Sequence, residues 1–342
     1  MIRPRRALTL TVAVSTALAL AACSPAESSA ESDSGDSSWE PVTIEHALGT
    51  TEIEQKPERV ATVNWANHEV PLALGIVPVG MARADFGDDD GNGVLPWVED
   101  KLDELGAKTP PLFDETDGID FEAVADTQPD VILAGYSGLT QDDYDTLSEI
   151  APVVAYPETA WGTPWREMIE VNSEALGMKD EGEELITDLE AQIDSAVEEH
   201  PAINGESTMF LTHVDPSDLS EVNFYTTHDT RAMFFEDLGM KAPASIEEAS
   251  AETDQFSSTI SAEQADVFDD VDIIVTYGDD ELVKTLEDDE LLSQMPAVKG
   301  DAIVNLPGDQ PLGTAANPTP LSIPFVLDDY LDALDDAASN AQ

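Results

Sequence analysis

The chain has 342 residues, with 14 Lys and Arg against 72 Asp and Glu, a formal net charge of −58. A surface this acidic repels phosphates and anionic headgroups, which excludes a nucleic-acid binder and a polybasic membrane-surface protein. Hydrophobic residues make up 42% of the chain, enough for real cores in about two domains, and the lone Cys23 excludes an internal disulfide and a cysteine-based zinc site.

Residues 1–22 read as a signal peptide. Arg3, Arg5 and Arg6 form a positive start, Ala7 to Ala22 carry no charge, and small residues precede Cys23. The apolar run is short for a membrane-spanning helix. Leu20-Ala21-Ala22-Cys23 resembles the lipobox of bacterial lipoproteins, which implies cleavage before Cys23 and lipidation of its thiol and new amino terminus. Cleavage removes three Arg and no acid, leaving 11 basic against 72 acidic residues, a charge of −61. Residues 23–40 are rich in Ser, Asp and Glu and are expected to form a disordered tether. Anchor, tether and body in this order place the body outside the cytoplasmic membrane.

From Pro41 onward, short apolar runs alternate with helical stretches. Val60–Val63, Val77–Gly80, Val131–Ala134 and Val153–Ala155 read as strands, and Val70–Leu74 and Phe121–Ala125 as helices. A second set of strands follows at Met209–Thr212, Ile273–Thr276 and Ile303–Val304. Between the sets, Leu185, Leu189, Ile193 and Val197 recur every four residues with an acidic outer face. Asp180 is the expected N-cap and Pro201 the stop. Strands alternating with helices favour an α/β architecture with mainly parallel sheets.

Glu45-His46-Ala47-Leu48-Gly49, Lys56-Pro57-Glu58-Arg59-Val60 and Leu72 to Gly80 resemble the opening of iron-siderophore substrate-binding proteins of ABC importers. Pro129 to Ala134, Tyr136-Ser137-Gly138-Leu139 and Ala151 to Ala155 continue the likeness in order, over about residues 41–335. The resemblance implies two α/β lobes, each with a mainly parallel sheet flanked by helices, joined by one long linking helix with a ligand cleft between them. The expected partition is a lobe at 41–178, the linking helix at 179–201 and a second lobe at 202–342. It also implies limited hinge motion, an ABC permease as partner, a monomer, no required cofactor and a ferric siderophore as ligand.

Aromatic residues at the ends of the expected strands are candidates to grip such a ligand: Trp65, Tyr136 and Tyr277, with Trp161, Trp165 and Tyr225 in loops. A bulky chelate with apolar edges suits aromatic faces, and a few Arg suit its oxygens; Arg83 and Arg231 are the candidates. For each aromatic the plain alternative is ordinary packing, and for each Arg a surface ion pair. The family resemblance assigns permease docking to one Glu on each lobe tip, matched here by Glu122 and Glu263.

Asp88, Asp90, Asn92, Gly93 and Glu99 fit a calcium-loop pattern of alternating oxygen ligands. Against calcium, no clear helix precedes Asp88 and Pro96 lies inside the loop, as expected of a solvated acidic turn. Three other functions compete. An enzyme lacks support from any Gly-x-Ser-x-Gly, Ser-x-x-Lys or His-Glu-x-x-His pattern. A free-metal binder needs convergent His; His213 and His228 are the candidates, with His46 and His200 read as surface or structural. Haem or cobalamin would suit the same fold. With few Arg and so acidic a body, the expected ligand is a neutral or cationic ferric hydroxamate rather than an anionic catecholate.

Overall fold

Twelve strands and the helices between them arrange into two α/β halves in the computed structural model, which describes residues 39–341. The expected signal peptide, Cys23 and nearly all of the tether lie outside the described residues.

The N-terminal half opens with an antiparallel hairpin, β1 (Val42–His46) and β2 (Gly49–Ile53). Its sheet is three parallel strands, β3 (Val60–Thr62), β6 (Val131–Leu133) and β7 (Val153–Val154), in the order β3-β6-β7. Every residue of these three strands is buried, which is why they read as unbroken apolar runs. A parallel pair, β4 (Met81–Ala82) and β5 (Leu112–Phe113), flanks it. The strand expected at Val77–Gly80 is therefore displaced to Met81. Pro78 has no N–H to give a ladder, and only Gly80 bridges to Ala61.

The C-terminal half carries a five-stranded sheet of β8 (Thr208–Leu211), β9 (Glu221–Tyr225), β10 (Ser257–Ser261), β11 (Ile273–Tyr277) and β12 (Ile303–Leu306). Its order is β10-β9-β8-β11-β12, with β8, β11 and β12 parallel and the β9–β10 edge antiparallel.

Between the sheets runs a 21-residue helix, Lys179–Glu199. Ile186, Leu189 and Ile193 are buried, with Leu185 and Val197 half-buried against the same core. Full burial of such a side chain stabilises by roughly 1.5–3 kcal/mol. The N-cap lies two residues before the expected Asp180. Met178 occupies that position, and Asp180 and Glu181 sit in the first turn, where acids favour the positive end of the helix. The helix packs on Trp165–Ala175 from one half and Ile323–Asn340 from the other. Gly182 permits the first approach: a Cβ there would stand 2.1 Å from Ser173 Oγ.

Polar contacts around Arg166 and Glu69 help tie the halves together. Arg166 donates from Nε to Glu190 at 2.6 Å on the long helix and from Nη1 to Asp237 at 2.9 Å in the C-terminal half. Glu69, fully buried on helix Glu69–Ala73, accepts from Trp97 Nε1 at 2.8 Å, from Leu321 N at 3.0 Å and from Thr319 Oγ1. No helix among the described residues is long and apolar enough to cross a membrane.

Candidate functional site

A cavity of about 390 Å³ opens between the halves. Trp65, Phe86, Tyr136 and Trp161 line it from the N-terminal half; His213, Arg231, Phe256, Tyr277, Thr314 and Asn317 line it from the C-terminal half. A second cavity of about 360 Å³ adjoins it, sharing Trp65, Phe86 and Trp161 and adding His68, Arg83, Asp85 and Glu115.

Trp65 follows β3 on a turn in which Asn64 and Ala66 both hold left-handed backbone, φ 59° and 60°. Each such residue costs roughly 1–3 kcal/mol and persists only where its surroundings hold it. Here the Glu115 carboxylate accepts from Asn64 N and Nδ2, both at 2.9 Å, while Asn64 Oδ1 accepts from Gly138 N at 3.1 Å. Asn67, fully buried, donates to Val63 O and Tyr136 O at 2.8 Å and accepts from Tyr136 N at 3.0 Å. The turn after β3 is thereby stapled to the turn after β6. Trp161 is itself left-handed at φ 61°, and its ring meets Tyr136 edge-on at 5.3 Å. Gly138 leaves room for that indole, since a Cβ would lie 2.2 Å from its Nε1. Trp65 Nε1 is buried without a hydrogen-bond partner among the described residues.

The opposite wall is polar at its centre. Asp229 caps helix Thr230–Asp237 and holds Arg231, accepting from Nε and from Nη2, each at 2.7 Å. The guanidinium lies 3.9 Å above the Tyr225 ring, and Nη1 reaches Tyr277 Oη at 3.4 Å. The His213 ring stacks on Tyr277 at 4.6 Å. Burial and the neighbouring Arg231 hold its pKa below the ordinary histidine value, so it faces the cavity neutral at physiological pH. Phe86 reaches across from the other half to meet Tyr277 edge-on at 5.2 Å.

Of the eight residues expected to bind ligand, Trp65, Tyr136, Trp161, Arg231 and Tyr277 share the larger cavity. Arg83 lines the second, beside Asp85 at 3.5 Å. Tyr225 sits beneath Arg231 rather than on the wall. Trp165 is in the core, its Nε1 donating to Asp237 at 2.9 Å under the Arg166 guanidinium. Phe86, His213, Phe256, Thr314 and Asn317 were not anticipated as lining residues. Of these, only His213 carried a signal, as a candidate metal ligand.

The Periplasmic binding protein family model matches residues 60–310. The chain belongs to that family. This binding protein is 29% identical over 263 residues to the probable siderophore-binding lipoprotein YfiY of Bacillus subtilis strain 168, covering 76% of this chain and 74% of the relative. It superposes on PiaA of Streptococcus pneumoniae TIGR4, solved in complex with ferrichrome, with a TM-score of 0.84 and 47% identity over 88% of this chain and 99% of that one. A periplasmic solute binding protein from Mycobacterium smegmatis gives a TM-score of 0.70 and 26% identity over 87% and 99% of the two chains. The protein is a substrate-binding component of ABC transport and not an enzyme.

The side chains of the acidic loop bond to the loop's own backbone and to one another. Asp88 accepts from Gly91 N at 2.9 Å and Gly93 N at 2.6 Å, and Asp90 accepts from Asn92 N at 3.0 Å. Glu99 rides on helix Pro96–Glu104 and accepts from the Asn92 amide at 2.8 Å. Among the described residues no three His, Cys, Asp or Glu side chains are placed to hold a metal. His228 Nε2 lies 3.1 Å from Ser250 O, outside the cavity. Glu122 and Glu263 are both exposed, each in the first turn of a short helix, Phe121–Asp126 and Ala262–Phe268.

Proposed function

We propose that this protein captures a ferric siderophore of the hydroxamate type outside the cell and delivers it to an ABC permease. The observation that carries the reading is the larger cavity. It has aromatic faces from both halves around one guanidinium, and no acid lines it. Aromatic faces suit the apolar edges of a chelate, and the Nη1 side of Arg231 suits its oxygens. The siderophore oxygens satisfy the iron, so the cavity needs no protein ligand to the metal. The likeness to YfiY, a probable siderophore-binding lipoprotein, and to PiaA, solved with ferrichrome, supports the same class.

Lipidated Cys23 anchors the body, and Glu122 and Glu263 dock a monomer onto the permease. Stiff coupling through the long helix, Arg166 and Glu69 favours modest closure around the ligand over wide opening.

Trp65 and Trp161 on the wall make tryptophan fluorescence the direct test. The soluble body, residues 39–342, is titrated with a ferric hydroxamate, a ferric catecholate, ferric citrate, haem and cobalamin. Metal-free forms serve as controls. Saturable quenching by the ferric hydroxamate is expected; quenching by haem or cobalamin alone replaces the substrate, and silence from all five refutes chelate binding.

A further inference from the structure

Arg231 is the permanently charged residue on the wall of the larger cavity, and it is not free. Asp229, with no exposed surface, occupies Nε and Nη2 at 2.7 Å each. That is the side-on fork with which a guanidinium grips a carboxylate or catecholate. What remains toward the cavity is the Nη1 side, 3.4 Å from Tyr277 Oη. The adjoining cavity repeats the balance: Arg83 faces Asp85 at 3.5 Å, and Glu115 adds a further carboxyl. Neither chamber offers an uncompensated positive charge.

We propose that Asp229 sets the charge specificity of the cleft. By cancelling Arg231 it makes the wall electrically neutral, so that uncharged ferric chelates enter and anionic ones are rejected. The assignment rests on the siderophore-binding reading above. Three hydroxamates, each giving up one proton, balance a ferric ion. Three catecholates, each giving up two, leave a trianion. A trianion loses water on entering this cleft and finds no free cation in exchange, within a chain whose net charge is already −58. A neutral chelate pays no such cost, and one N–H from Arg231 serves a hydroxamate carbonyl. If Asp229 only capped its helix and positioned Arg231, its removal would weaken every chelate alike. The relative affinity of charged and neutral ligands separates the two roles.

The test measures dissociation constants of ferrichrome and ferric enterobactin by calorimetry on the detergent-solubilised full chain, as wild type, D229N and D229E. Asparagine keeps a side-chain oxygen for the helix cap but frees the Arg231 charge. The wild type is expected to prefer ferrichrome. D229N is expected to narrow that preference at least ~10-fold, the order expected of one charge exposed in a partly desolvated cleft. D229E is expected to retain it. An unchanged preference in D229N overturns the proposal, as does a wild type that prefers the catecholate while still binding ferrichrome. A wild type that binds neither chelate refutes the siderophore reading and the proposal together. If D229N does not fold, the D229N/R231Q variant removes both charges at once. A preference that persists there supports neutrality as its cause, and a lost preference overturns it.

Discussion

The two walls of the cleft are built from different chemistry and held by different means. The N-terminal wall is aromatic, set on left-handed turns that a buried asparagine and a glutamate network keep in place. The C-terminal wall is polar at its centre, a guanidinium fixed by a buried carboxylate and an underlying tyrosine ring. The difference teaches a division of labour. Indole faces give grip with little regard for charge, whereas the Arg231–Asp229 pair decides which charges enter. The proposed docking tips are alike instead, each with its glutamate in the first turn of a short helix.

The largest expected effect lies at those tips. Reversing both glutamates, E122R with E263R, is expected to abolish chelate uptake in cells while leaving the dissociation constant unchanged within about twofold, because both residues lie outside the cavity. Lost uptake with lost binding would break the separation of tips from cleft. Next comes R231A. It removes a charge-assisted donor worth about 1.5–3 kcal/mol, or roughly 10- to 100-fold in affinity. It also strands Asp229, a buried charge whose loss of partner costs about 3–5 kcal/mol of stability. Calorimetry and a thermal melt read the two losses separately. W65A and W161A are expected to weaken ferrichrome by roughly 3- to 10-fold each without altering its preference over an anionic chelate, as aromatic contacts of about 0.5–1.5 kcal/mol do. A shift in that preference on W161A would contradict the division between grip and charge selection.

How much of this was legible depended on burial. β3, β6, β8 and β11 are buried throughout, so they appeared as apolar runs; the long helix appeared through its four-residue repeat. The β1–β2 hairpin and the β10 edge were missed. Gly49-Thr-Thr-Glu and Ser257-Ser-Thr-Ile-Ser are mostly polar and show no apolar run, and the β10 edge in addition pairs with β9, a strand distant in sequence. The site was half legible for a similar reason. Trp65 and Tyr136 follow buried strands and Tyr277 ends one, so their placement tracked the sheets. Trp165 and Tyr225 are aromatic too and were expected in loops, but Trp165 opens a helix with its indole bonded to Asp237, and Tyr225 ends β9 beneath Arg231. Phe86, Thr314 and Asn317 come from irregular segments whose convergence no local pattern records. The role of Asp229 was hidden too, because one acid among 72 carries no signal until its partner is seen.

The contact that couples the two walls yields an effect seen only in how stability changes with pH. Glu69 is fully buried, and burial raises its pKa to about 7 from 4.5, against the opposing hydrogen bonds from Thr319, Trp97 and Leu321. The folded state therefore holds a proton that the unfolded state releases. Its favourable contribution is complete below about pH 4.5 and is lost as pH rises through about 7, at most about 3 kcal/mol across the window. The adjacent His68 works in the opposite sense. Burial lowers its pKa to about 4, so acid favours the unfolded state there. E69Q isolates the first effect because His68 is common to both proteins. Gln cannot ionise, so the stability of E69Q relative to wild type should rise between about pH 5 and pH 8. At about 2–4 °C per kcal/mol, thermal melts resolve the change. Parallel melting curves across that range would show that Glu69 stays ionised in the fold, supported by its three donors. The joint between the aromatic wall and the segment Thr319–Ser322 would then be insensitive to pH.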